Sequence, residues 1–166
     1  ATGAVREVGP SSLYVYDYDW SPAGRAFAAE AAEGSGTDNY WIAQLYVIRA
    51  DTGAATSIWK PPLQIAGPRW SLDGRSIAVI HGIMSDEGST GGDVWSVAID
   101  ATSSRNLTPD MKWSASALFW LPSGELRFTA DADGGQGLAS VDVAAATIRP
   151  IWTGPESLQE FSMARQ

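Results

Sequence analysis

The chain has a single histidine, no cysteine and 19 carboxylate side chains, so the chemistry open to it is narrow. His81 would have to be the base of any Ser-His-Asp arrangement. It ends an apolar run beside Gly82, a setting in which a histidine more often packs or hydrogen-bonds than catalyses. No Gly-Xaa-Ser-Xaa-Gly nucleophile elbow occurs, and the strand-turn-helix context it needs is missing too. The lack of cysteine removes disulfides, thiolate metal sites and thiol nucleophiles together. Gly88 to Gly92 lacks the spacing and the lysine of a phosphate-binding loop, and no helix follows it. Asp86, Glu87 and Asp93 are hard oxygen donors, and Asp131-Ala-Asp133-Gly-Gly faintly resembles a calcium loop. A calcium loop needs ligands at fixed offsets ending in a bidentate glutamate, and none follows Asp131, so these read as solvated loop carboxylates. No metal and no cofactor is expected. What remains is the long glycine-rich segment 85–93. Its Ser85, Asp86, Glu87, Ser89, Thr90 and Asp93 are candidates for contact with a substrate or a neighbouring domain. The plainer reading is a surface insertion.

The elements that would position such a loop are set by a repeat. Trp20-Ser-Pro-Ala-Gly24, Trp70-Ser-Leu-Asp-Gly74 and Trp120-Leu-Pro-Ser-Gly124 place their tryptophans 50 residues apart. A second set runs in phase: Leu45, Val94 and Leu138 each begin an apolar group 13 residues before Ile58, Leu107 and Ile151. Each repeat therefore reads as four short strands. The first ends at the tryptophan. The second follows the turn (26–30, 76–81, 125–130), the third holds the Leu45, Val94 or Leu138 group, and the fourth ends at Ile58, Leu107 or Ile151. Pro22 and Pro122 preset the first corner of a type I turn, and Gly24, Gly74 and Gly124 can take the left-handed conformation that closes it. Insertions fall between second and third strands, at 33–40, 85–93 and 131–137. Trp20, Trp70 and Trp120 are expected to pack between adjacent sheets.

This pattern predicts an all-β chain, a β-propeller fragment of about three four-stranded antiparallel blades. The blades run roughly over 10–60, 61–109 and 110–153. Val8 stands 12 residues before Trp20 as Ile58 does before Trp70, so residues 1–9 read as the end of a preceding blade and 154–166 as the start of a following one. Three blades do not close a ring, and the open edges call for further blades or a second copy.

Composition narrows the partners. A net charge of −8 and the absence of any basic run argue against nucleic acid. The longest apolar stretch, 76–84, is far short of a membrane span. These features predict a soluble protein without membrane insertion and leave cytoplasm and periplasm equally open. Asn106-Leu-Thr108 is formally a glycosylation sequon but coincides with the fourth-strand motif, and reads as structural.

The residues Trp-Ser-Pro-Ala-Gly-Arg at 20–25, Trp-Ser-Leu-Asp-Gly-Arg-Ser-Ile-Ala at 70–78, and Asp93-Val-Trp-Ser-Val with Arg105-Asn-Leu-Thr resemble the WD-like propeller repeats shared by TolB and the prolyl oligopeptidase family. The segments 84–93 and 39–46 resemble those of acylaminoacyl-peptidase-like members. That resemblance implies a propeller that gates and positions peptides for a serine-peptidase hydrolase domain outside this chain, with no catalytic residue here. Glu30 and Glu33 lack the adjacent Glu-Glu pair with which the dipeptidyl-peptidase branch holds a substrate amino terminus, and that role is not carried over. The alternative it implies is a TolB-like scaffold for protein partners. A third reading, a propeller hydrolase with an axial metal, would need convergent carboxylates and histidines that the sequence does not show.

Overall fold

The computed structural model describes residues 3–34, 36–85, 90–132 and 134–158. Among these residues, twelve strands form three separate four-stranded antiparallel sheets. The first contains β1 (Leu13–Trp20), β2 (Ala26–Glu33), β3 (Gln44–Arg49) and β4 (Ala55–Trp59). The second contains β5 (Gln64–Trp70), β6 (Ser76–Gly82), β7 (Asp93–Ala98) and β8 (Ser104–Asn106). The third contains β9 (Ser114–Trp120), β10 (Leu126–Ala132), β11 (Gly135–Asp142) and β12 (Thr147–Gly154). Within each sheet the strands are neighbours in chain order, so every sheet is a meander.

The repeated turns explain why each sheet starts alike. The N–H groups of Gly24, Gly74 and Gly124 donate to the carbonyls of Ser21, Ser71 and Leu121 at 2.8–2.9 Å, and all three glycines have φ between +64° and +83°. Ser71 Oγ adds a second clasp, donating to the Ser76 carbonyl and accepting its N–H at 3.0 Å, while Asp73 accepts the Arg75 N–H.

Sheets pack face to face through side chains that alternate along their strands. Ala28, Leu45 and Ile58 of the first sheet meet Ile65, Trp70, Ile77, Val79 and Val97 of the second. Ala78, Ile80, Val94 and Leu107 of the second meet Ala115, Leu118, Leu126, Phe128, Ala139 and Val141 of the third. Phe128, Leu126, Ile80 and Ile77 are wholly buried, and burying each such side chain contributes roughly 1.5–3 kcal/mol. The first strands lie side by side, β1 against β5 and β5 against β9, so they run along the inner edge about which the sheets fan.

The details depart from expectation at four places. The second strands are longer than the sequence suggests, ending at Glu33, Gly82 and Ala132. Segment 131–137 is not an open loop: Asp131 pairs with Gln136 and Ala132 with Gly135, so β10 and β11 form a tight hairpin with Gly134 at φ +81°. A glycine there permits the two-residue turn that the spacing of apolar landmarks hid. Residues 4–8 form no strand among the described residues. Finally, Trp70 is buried between sheets and Trp120 packs back onto the second sheet, with Nε1 donating to the Arg69 carbonyl at 3.2 Å, but Trp20 is 49% exposed. Trp70 and Trp120 each pack onto the sheet before their own. No described sheet precedes the first, and Trp20 stacks on Phe27 of its own sheet, ring centroids 3.9 Å apart.

Candidate functional site

Each first strand carries an irregularity at the same height. The β1–β2 register shifts between Val15 and Asp17, which bulges Tyr16; β5 shifts between Ala66 and Arg69, around Gly67 and Pro68; β9 shifts at Ser116. These positions are one period apart. A bulge bends its strand and re-aims a side chain. Proline is tolerated there because it has no ladder hydrogen to donate, and Gly67 takes φ +60°.

The three bulges surround a cavity of about 290 Å³ on the inner edge of the sheets. Tyr16, Ala66, Gly67 and Ser116 line it, together with the charged Asp17, Glu30 and Arg69 and an apolar floor of Ile65, Met84 and Leu118. Asp17 and Glu30 are direct cross-strand partners, an arrangement of like charges that is unfavourable unless compensated. Arg69 supplies the compensation from the next sheet: its Nη1 lies 3.2 Å from Asp17 Oδ2 and donates to the Pro68 carbonyl at 2.7 Å. Glu30 is buried in the wall, while Asp17 and Arg69 are about 40% exposed and open to solvent. Hydroxyls frame the site. Tyr16 donates to the Gly36 carbonyl at 3.1 Å, Tyr40 from the 3-10 turn Thr37–Ile42 reaches the Met84 carbonyl at 3.5 Å, and Ser116 pairs with Thr129 at 3.0 Å. Such a site can hold a polar ligand by complementary charge and hydrogen bonds.

The single histidine of the chain is not part of it. His81 lies elsewhere, between Trp59 and Trp95 with ring centroids 5.2 and 5.1 Å away, and neither tryptophan lines the cavity. Its Nε2 is buried without a partner among the described residues. Burial pushes the imidazole pKa down, and nearby Asp93 partly opposes this. Among the described residues, no three His, Asp or Glu side chains are grouped to hold a metal ion.

The candidate loop residues are dispersed. Thr90 reaches the cavity wall. Ser85 is exposed just after β6. Asp93 opens β7 and accepts the Asn106 amide at 2.7 Å, an intrasheet role. Asp86, Glu87 and Ser89 lie outside the described residues. The end of the loop is pinned to the third sheet: Gly92 N–H donates to Ser114 Oγ at 3.0 Å and its carbonyl accepts Ala115 N–H at 2.9 Å. Asn106 also accepts the Thr108 N–H at 2.9 Å, so its side chain is engaged in the fold. Trp20, Trp70, Trp120 and the turn glycines 24, 74 and 124 are framework and do not line the cavity. Sequence reasoning missed Tyr16, Asp17, Arg69 and Ser116. The available signal was charge inside a first strand, at Asp17 and Arg69, where alternation calls for packing residues.

No family model matches the chain, and no curated protein matches it. Its fold recurs among solved structures. An oligogalacturonate lyase in complex with manganese superposes with TM-score 0.70 at 15% identity, over 89% of this chain and 44% of the lyase. A TolB from Agrobacterium tumefaciens gives 0.67 at 21% identity, over 87% of this chain and 51% of that one. The chain is three blades of a β-propeller. A puromycin-hydrolyzing peptidase of Mycobacterium tuberculosis shares the propeller too, with TM-score 0.63 and 18% identity, over 87% of this chain and 24% of the peptidase. TolB and peptidase propellers, the two resemblances carried by the repeats, are thus both met in structure. The propeller described here spans about half or less of the length of each of these proteins. At such identities the likeness is one of fold, because propeller motifs encode turns and packing. No helix among the described residues is long and apolar enough to cross a membrane.

Proposed function

We propose that these blades are the noncatalytic propeller portion of a serine peptidase of the prolyl oligopeptidase type, gating and positioning peptides for a hydrolase domain outside residues 1–166. One observation carries the reading: a cavity on the inner edge of the propeller presents a guanidinium, carboxylates and hydroxyls from all three blades, while the single histidine lies outside it. Peptides carry the complementary donors and acceptors along their length. A propeller of this fold within a peptidase lends support, and the chain accounts for only 24% of that protein, which leaves most of its length for another domain.

A second reading, a TolB-like scaffold binding protein partners with no enzymatic neighbour, is favoured by the 21% identity to TolB over 51% of its length. The native reading frame beyond Gln166 separates the two. A Gly-Xaa-Ser-Xaa-Gly elbow followed by an aspartate and a histidine supports the peptidase reading. A frame that adds blades and then stops favours the scaffold.

A further inference from the structure

The two interblade cores and the outer face of the first blade obey one repeat, and the outer face is half of it. In the core between first and second sheets, the second sheet contributes Ile77, Val79 and Val97, with Trp70 over them. Fifty residues earlier stand Phe27, Ala29 and Trp20, and 49 residues before Val97 stands Ile48. Phe27, Ala29 and Ile48 belong to a cluster of their own on the opposite face of the first sheet, and Trp20 stacks on Phe27. The register agrees: Phe27 pairs with Ile48 as Ile77 pairs with Val97. Ile58, which ends the first blade, sits in the first core, and Val8, 50 positions earlier, sits in the outer cluster. Among the described residues, no counterparts stand over this face for Ala28 and Leu45, the second-strand and third-strand residues with which the first sheet covers Trp70 and its neighbours.

The uncovered half is aromatic. Val15, Tyr18 and Trp20 pair across strands with Ala31, Ala29 and Phe27 of this face and are 41, 56 and 49% exposed. Tyr18 meets Phe27 edge-on at 5.7 Å. The leading segment already lies over the outer part: Arg6 donates to the carbonyls of Ala50 and Asp51, and Gly9 lies against Ile48. That is where a chain leaving the last strand of another sheet would cross.

We propose that this face is one half of an interblade core, and that its occupant is a further four-stranded propeller sheet. That sheet carries a small second-strand residue and a branched third-strand residue at the positions of Ala28 and Leu45, and its last strand runs into residues 5–8. The inference is independent of what the propeller serves. A second copy of this chain is a poor occupant. The face it would offer in sequence, the outer side of the third sheet, bears Arg127, Thr129 and Asp131, and burying those charges against Tyr18 and Trp20 is unfavourable. Further sheets have room to exist, because the lyase and TolB chains sharing the fold are about twice the length matched.

Hydroxyl-radical footprinting of the native gene product, beside the 166-residue chain, tests this with Trp41 (47% exposed) and Trp70 (6% exposed) as internal references. In the native product Trp20 should label as slowly as Trp70, and in the 166-residue chain as fast as Trp41. Trp20→Asp should lower the melting temperature of the native product by more than that of the 166-residue chain, where only the contact with Phe27 within the sheet is lost. Labelling of Trp20 at the rate of Trp41 in the native product would overturn the proposal. So would protection of Trp20 in the 166-residue chain that rises with concentration alongside a dimer mass by light scattering, since a second copy would then hold the face.

Discussion

Asp19 accepts the backbone N–H of Trp70 at 2.7 Å, so a carboxylate in the first strand of one blade holds the tryptophan that ends the first strand of the next. Removing the acceptor strands an N–H beside a core indole. Asp19→Ala should cost about 1.5–3 kcal/mol, the range for a hydrogen bond to a charged group, read from urea unfolding. The more exposed Arg69–Asp17 pair is expected to be worth less than about 1 kcal/mol by double-mutant cycle.

Two glycines with positive φ should respond differently to a side chain. Gly74 has φ +72°, and an added Cβ would stand 3.8 Å from Trp70 Nε1, so Gly74→Ala meets backbone strain alone, about 1–2 kcal/mol. Gly74→Val adds branching and should cost about 1–3 kcal/mol. Gly92 has φ +141°, and its Cβ would collide with the His81 carbonyl and the Gly82 backbone. Gly92→Ala should therefore cost about 2–5 kcal/mol and loosen the joint between the second and third blades. Equal melting temperatures for the two alanine variants would contradict this.

Stability should fall with acid in a window set by His81. Its folded pKa is lowered, mainly by burial between Trp59 and Trp95, with Asp93 acting the other way. Below the unfolded value of about 6.5 the unfolded chain takes up a proton that the folded chain resists. The stability present at pH 7.5 is then lost progressively as pH drops through 6.5 towards the lower folded value. His81→Phe should flatten that slope. The carboxylates held low by hydrogen bonds, Asp51 at about 2 and Asp73, Asp100 and Glu125 below their ordinary values, act only in stronger acid. Urea unfolding at pH 7.5, 6.5 and 5.5 isolates the histidine.

The framework was legible because it repeats. Tryptophan, turn and glycine recur every 50 residues, and the first strands end at Trp20, Trp70 and Trp120 as that spacing requires. The hairpin at 132–135 was obscured because its turn has no apolar landmark. Trp20 shows where a repeat misleads: equal sequence produces equal packing only if a neighbour is present on that side. The cavity was the least legible part. Asp17 and Arg69 are 52 residues apart, and their approach follows from bulges that shift strand register without any glycine or proline signal at Tyr16 or Ser116.

The most direct test of the account is hydrolysis of an aminoacyl-naphthylamide panel, with and without a serine-directed fluorophosphonate, by the 166-residue chain and by the native gene product. The chain itself should show no turnover and take no label, whereas the native product should show inhibitor-sensitive turnover with the label outside residues 1–166. Turnover by the isolated chain, or a native product that neither hydrolyses the panel nor takes the label, would contradict it.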